Sequence, residues 1–122
     1  MGDFYNRLLQ DLSEFIDLPL PRTDYAENIY WVYGLLLTDK VSGDARLVMA
    51  KLQELGIGTR PFFYPMHKQP VFRKMGLFSN EFYPVAEYMA EKGFYIPSGL
   101  ALTEEQMMIV SEKLHDIFHE RI

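Results

Sequence analysis

Ile29-Tyr30-Trp31-Val32-Tyr33-Gly34-Leu35-Leu36-Leu37 is the longest apolar run in the chain, and its reading decides the fold. Aromatic and branched residues follow one another without polar alternation, the pattern of a strand covered on both faces. The run is about half the roughly 20 residues a helix needs to cross a bilayer, so it points to a buried sheet and to no membrane span.

On its N-terminal side, Tyr5, Leu8, Leu9, Leu12, Phe15 and Ile16 recur at three- and four-residue steps, predicting an amphipathic helix that Pro19 and Pro21 end. Residues 22–28 are polar and irregular. On the other side, the turn-rich link 38–43 leads to a second helix marked by Ala45, Val48, Met49, Leu52 and Leu55. Gly56 stops it as a left-handed C-terminal cap. Pro61 and Pro65 forbid a helix through Thr59 to Tyr64 and push their preceding residues toward extended geometry. A loop with one short helical turn near Val71 to Met75 follows. Ser79 or Asn80 is the expected cap of a third helix that takes Pro84 in its first turn and buries Val85, Ala86, Met89 and Ala90.

Phe94-Tyr95-Ile96 reads as a short strand closed by Pro97-Ser98-Gly99. Thr103-Glu104-Glu105-Gln106 is a capping box, which starts the last helix at Thr103 with Met107, Val110, Leu114, Ile117 and Phe118 as its core stripe. Helices and strands thus alternate, and the fold class is α/β (α+β): a small sheet of about three strands packed against helices. Residues 1–122 form one domain, with Met1-Gly2 read as an appended start.

A 48% hydrophobic content with 15% aromatics fills one core and excludes a disordered tail. The net charge of -5 argues against nucleic acid as a partner. With no cysteine, a disulfide scaffold, a thiolate metal site and a cysteine nucleophile are all excluded; this fits a reducing compartment, and the chain reads as cytoplasmic. Nothing near the N-terminus resembles a signal peptide.

The densest chemistry lies between Gly56 and Gln69, where Arg60, Tyr64, His67 and Lys68 sit in a proline-bracketed segment with Phe62 and Phe63. A rigid loop of this kind can aim a guanidinium and a neighbouring donor at a phosphate or carboxylate. It can equally be a surface loop whose aromatics cover the core, and spacing leaves both readings open.

His115, His119 and Glu112 share one side of the last helix, but histidines near a helix C-terminus are favoured by the dipole without a metal. Glu104 and Glu105 suit a first helical turn, Glu87 and Glu91 a solvated face, and none forms an acid/base pair. Trp31 and its tyrosine neighbours read as core rather than as a stacking platform.

Gly56-Ile57-Gly58-Thr59-Arg60-Pro61-Phe62-Phe63-Tyr64-Pro65-Met66-His67, then Phe82-Tyr83-Pro84-Val85-Ala86-Glu87, then Ile96-Pro97-Ser98-Gly99 with Leu102-Thr103-Glu104-Glu105-Gln106 resemble, in order and spacing, the C-terminal end of the DegT/DnrJ/EryC1/StrS aminotransferases. The wording from Arg60 to His67 is most similar to the perosamine synthase branch, which aminates a GDP-linked 4-keto-6-deoxy sugar.

The resemblance implies the C-terminal small domain of a fold-type-I transaminase. In such an enzyme an N-terminal large domain carries pyridoxal 5'-phosphate, its Schiff-base lysine and most phosphate contacts. Lys40, Lys51, Lys68, Lys74, Lys92 and Lys113 lie outside any segment resembling that lysine motif, so this chain holds no catalytic or cofactor-binding residue and is expected to be inactive alone. Arg60, Phe63, Tyr64 and His67 become the substrate-binding candidates: His67 and Arg60 toward the nucleotide-sugar, Phe63 and Tyr64 shaping the wall. The implied partners are the large domain, the nucleotide-sugar and a second copy in a homodimer. The alternative is a stand-alone, non-catalytic module for sugar-nucleotide binding or assembly. A reading frame running upstream into a lysine-bearing domain would exclude that alternative.

Overall fold

A computed structural model describes residues 1–120; Arg121 and Ile122, the end of the expected domain, lie outside the described residues. Four antiparallel strands form one sheet in the order β1-β2-β4-β3: β1 Ile16–Asp17, β2 Tyr33–Leu37, β3 Arg60–Pro61 and β4 Gly93–Ile96. Five α-helices accompany it: α1 Gly2–Leu9, α2 Ala45–Glu54, α3 Pro70–Lys74, α4 Pro84–Lys92 and α5 Glu104–His119.

The β2–β4 pairing sets the register, with Tyr33 opposite Ile96 and Leu35 opposite Phe94. Strand side chains alternate between faces, so Tyr33, Leu35, Leu37, Phe94 and Ile96 share one face. All five are buried there with Leu9 and Leu12, with Val48 and Leu52 of α2, and with the α5 stripe Met107, Val110, Leu114, Ile117 and Phe118. The α5 stripe is as the periodicity predicts.

The Thr103 capping box is present in both directions: Gln106 N donates to Thr103 Oγ1 at 3.1 Å and Thr103 N to Gln106 Oε1 at 2.9 Å. Gly56 ends α2 at φ 84, where Ile57 N–H reaches back to the Leu52 carbonyl at 2.8 Å. Pro84 opens α4, its missing N–H harmless in a first turn.

Four expectations fail, and in all but the third a non-local contact overrides a local pattern. First, the first helix stops before Phe15, a short 3-10 turn runs from Gln10 to Leu12, and Ile16 enters β1 opposite Leu37. The sheet therefore gains a fourth strand.

Second, β2 begins only at Tyr33. Tyr30 sits at φ 51, which breaks the extended run, and the ladder ends where β4 meets Pro97. Beyond it, Tyr33 N donates to Ser98 Oγ at 2.8 Å instead. Trp31, expected in the core, is consequently 71% exposed.

Third, α4 starts at Pro84 and not at Ser79 or Asn80, because a residue before proline is pushed to extended geometry; Tyr83 is the cap at φ -132. Fourth, α4 buries none of its residues, and Val85 and Met89 of the expected stripe are exposed. That helix lies against the second face of the sheet, which α4 and Phe62 cover only in part.

Gly2 is also firmly inside the fold. It is buried as the first residue of α1, and the Tyr30 ring occupies the space a Cβ would need.

Candidate functional site

The open face of the sheet carries Gly34, Leu36 and Tyr95. Phe62 lies over it, stacked on the Tyr95 ring at a centroid distance of 4.7 Å. Glycine at 34 and at 93 is what lets it do so, since a Cβ would meet the Phe62 ring at 3.1 Å and 2.4 Å respectively. Phe62 is thereby spent on the sheet, and the residues after it project outward. Phe63 keeps only an edge contact with Tyr95 at 6.2 Å and is exposed, as is Tyr64. The Tyr64 carbonyl accepts a hydrogen bond from the Gln69 side chain at 3.0 Å, closing the loop on itself.

Arg60 stands on the edge strand β3 opposite Tyr95. It lines a groove of about 790 Å³ with Trp31, Gln53, Thr59, Tyr95 and Ser98. A guanidinium beside exposed aromatic surface suits an anionic ligand that also has a flat apolar part. A second groove of about 470 Å³ on the open face is walled by Ile29, Trp31, Leu36, Phe62 and Met89. The hollow within Arg22–Glu27 is lined only by that turn and is not a site.

His67 is in a different position from the other three candidates. It lies in a 3-10 turn, Met66–Lys68, and is only 5% exposed. The Tyr83 ring covers it edge-on at 4.9 Å. Its Nε2 is buried without a hydrogen-bond partner and lies 3.7 Å from Glu87 Oε2. An unpaired buried donor or acceptor costs about 1–3 kcal/mol, so this atom is held there by its surroundings. The loop therefore brings Arg60, Phe63 and Tyr64 to the surface and turns His67 inward.

Glu87, read from the sequence as part of a solvated face, is the residue missed. Its Oε1 accepts from Lys68 Nζ at 2.8 Å, and its Oε2 from Tyr83 N at 3.2 Å. The Lys68 hydrogen bond holds the Glu87 carboxyl below the usual carboxylate range against the opposing effect of desolvation, with the Tyr83 N–H and His67 adding to it. About twenty residues of loop and short helix separate Glu87 from Lys68 and His67, so helical spacing carried no sign of that pairing.

His115 and His119 bring their rings within 5.7 Å of each other, but among the described residues they form no three-residue group with Glu112 that could hold a metal. His115 instead places Nε2 at 2.9 Å from Asp11 Oδ1 and Nδ1 at 2.8 Å from the Ser111 carbonyl, while His119 packs edge-on against Phe15.

The profile of the DegT/DnrJ/EryC1/StrS aminotransferase family matches residues 1–115, and the chain belongs to that family. GDP-perosamine synthase of Escherichia coli O157:H7 is 25% identical over 92 residues, which cover 75% of this chain and 24% of that relative. Among solved structures, PseC of Helicobacter pylori, an aminotransferase of pseudoaminic acid biosynthesis, superposes with a TM-score of 0.82 at 16% identity. The match covers 98% of this chain and 31% of PseC. The Escherichia coli GDP-4-keto-6-deoxy-D-mannose-3-dehydratase, solved with hydrated pyridoxal phosphate, gives a TM-score of 0.72 at 13% identity, covering 93% of this chain and 28% of its own. The chain thus spans a quarter to a third of these relatives and corresponds to their C-terminal part. One fold serves both a transaminase and a dehydratase, so the reaction is decided by residues and not by architecture.

The described residues do not fit a pyridoxal phosphate site. Imine formation needs a lysine amine aimed into a water-excluding pocket. Lys68 is paired with Glu87, Lys92 donates to the Val41 and Gly43 carbonyls, and Lys113 lies 3.7 Å from Asp116. Lys40 and Lys51 border an open groove between α2 and α5, and Lys74 is exposed at the end of α3. None of the six is buried. No helix of the described residues is long and apolar enough to cross a membrane.

Proposed function

We propose that this chain is the substrate-side C-terminal domain of an enzyme that converts a nucleotide-linked keto-deoxy sugar to an amino sugar, in the manner of a perosamine synthase. The observation that carries this reading is the half-covered sheet. One face has a complete core, whereas the other carries an open groove walled by solvent-exposed Ile29, Trp31 and Met89, with exposed Phe63 at the edge of Tyr95. Contiguous apolar surface of this kind marks an interface, and the longer relatives contain the polypeptide to cover it. We infer that a large domain of that kind is the partner, that it brings the cofactor, and that the assembled enzyme works as a homodimer in the cytoplasm.

Pyridoxal phosphate, held by that other part, supplies the electron sink for amino transfer. This chain contributes recognition. Arg60 offers a planar fork to an anionic oxygen of the nucleotide, and Phe63 and Tyr64 wall the sugar. His67 is the donor the loop holds in reserve.

Nuclear magnetic resonance titration of the chain with a GDP-linked sugar tests this. Amide shifts concentrated between Thr59 and Lys68 and absent in Arg60→Ala are expected; a spectrum indifferent to the ligand would reject the substrate role. In parallel, pyridoxal phosphate mixed with the chain and reduced with borohydride should leave only scattered, substoichiometric adducts over the accessible lysines. A stoichiometric adduct at any single lysine would overturn the assignment of the cofactor to another part of the enzyme.

A further inference from the structure

We propose that Glu87 is a positioning residue: it latches His67 and Lys68 to the first turn of α4, so that the inward pose of His67 is set by that helix and not by the loop that bears it. Its importance for substrate rests on the reading of His67 given above, whereas the latch itself requires no ligand.

One carboxylate faces two consecutive side chains. Lys68 Nζ takes Oε1 at 2.8 Å, while Oε2 lies 3.7 Å from His67 Nε2 and accepts the Tyr83 N–H at 3.2 Å. Lys68 and Glu87 are thus an intact ion pair, and His67 is a second claimant held just beyond hydrogen-bond length.

The imidazole nitrogen facing the carboxylate is favoured only when it carries a proton, because its lone pair would otherwise point at negative charge. Glu87 therefore selects the Nε2–H form and fixes the ring plane. Tyr83, the cap residue of α4, completes the enclosure with its ring 4.9 Å from the imidazole. Glu87, Lys68 and Tyr83 are the titratable groups set against His67.

The latch matters because, apart from the Tyr83 ring, the loop's other ties to this region lie at the far, C-terminal end of α4, where β3 pairs with β4 and Phe62 packs on Gly93. The α4 helix has no buried side chain, and its other long-range hydrogen bonds run from Tyr88 to the Leu37 carbonyl and from Lys92 to the 41–43 link. Pro61, Pro65 and Pro70 stiffen the loop, so a shift of the α4 N-terminus moves His67 as a unit with Lys68. An anionic ligand that draws Lys68 away frees Glu87 for His67, so that the two side chains exchange one partner.

Diethyl pyrocarbonate labelling, mapped by peptide mass spectrometry, reads this directly, because the chain has three histidines in separable settings. In the unaltered chain His67 should react about tenfold more slowly than exposed His119, reporting local opening. Glu87→Gln should raise the His67 rate about tenfold and leave His115 and His119 unchanged. An unaltered His67 rate in that variant, or a His67 as reactive as His119 from the start, would sink the proposal.

If Glu87→Gln loses its fold, Lys68→Met provides the opposite arm. With Lys68 gone the carboxylate belongs to His67 alone, and labelling should slow; an equal or faster rate again refutes the latch. Repeating the GDP-sugar titration on Glu87→Gln separates the two readings. A raised His67 labelling rate with retained shifts at Arg60 upholds the latch, an unaltered rate with those shifts retained condemns the latch alone, and a spectrum blind to the sugar in both proteins condemns only the substrate role.

Discussion

Raising the pH should weaken this domain through one identifiable pair. His115 on α5 is held between two acceptors, the Asp11 carboxylate on the 3-10 turn after α1 and the carbonyl of Ser111. A neutral imidazole has a single N–H and satisfies only one of them; the cation satisfies both. Burial opposes the charge, but the Ser111 carbonyl, the Asp11 carboxylate and nearby Asp116 outweigh it, so the His115 pKa is raised.

A raised folded-state value means the stabilisation is complete below the unfolded pKa of about 6.5 and is lost as pH climbs through the folded one. The His115 side chain is 25% exposed and Asp11 65%, so solvent screening limits the pair to about 0.5–1 kcal/mol. Asp11→Asn should therefore lower the melting temperature by roughly 2–5 °C near pH 5.5. Near pH 8.5 the difference should shrink toward zero. Circular dichroism melts at the two pH values measure both, and an Asp11→Asn deficit of the same size at each would refute the charge-based account.

Thr103→Ala removes the capping box of α5 and should cost about 1 kcal/mol in urea unfolding, with Thr103→Ser recovering most of it. Leu114→Ala empties a fully buried site between α5 and the sheet and should cost about 2–5 kcal/mol by the same assay. Gly93→Ala drives a methyl group into the Phe62 ring and the Met89 carbonyl, so it should destabilise by about 1–3 kcal/mol and release Phe62 from Tyr95, visible as ring-current shifts. Trp31→Ser, at a residue exposed here, should change stability by less than about 0.5 kcal/mol. It should also reduce concentration-dependent sedimentation if the open face drives self-association.

The elements that signal themselves through local chemistry were legible from residues alone. A hydroxyl three positions before a glutamine makes the α5 cap, Gly56 relieves a left-handed turn, and the α5 stripe repeats at helical spacing from Met107 to Phe118. The family could be read in the same way, because three motifs in order constrain one another across the chain. Only tertiary structure decided the rest. Whether an apolar stripe is buried depends on what lies opposite, which is why Trp31 and the α4 face were placed in a core that this polypeptide does not complete. The inward turn of His67 and its latch by Glu87 depend on a contact across about twenty residues of chain, and no periodicity records a distance that only the folded backbone sets.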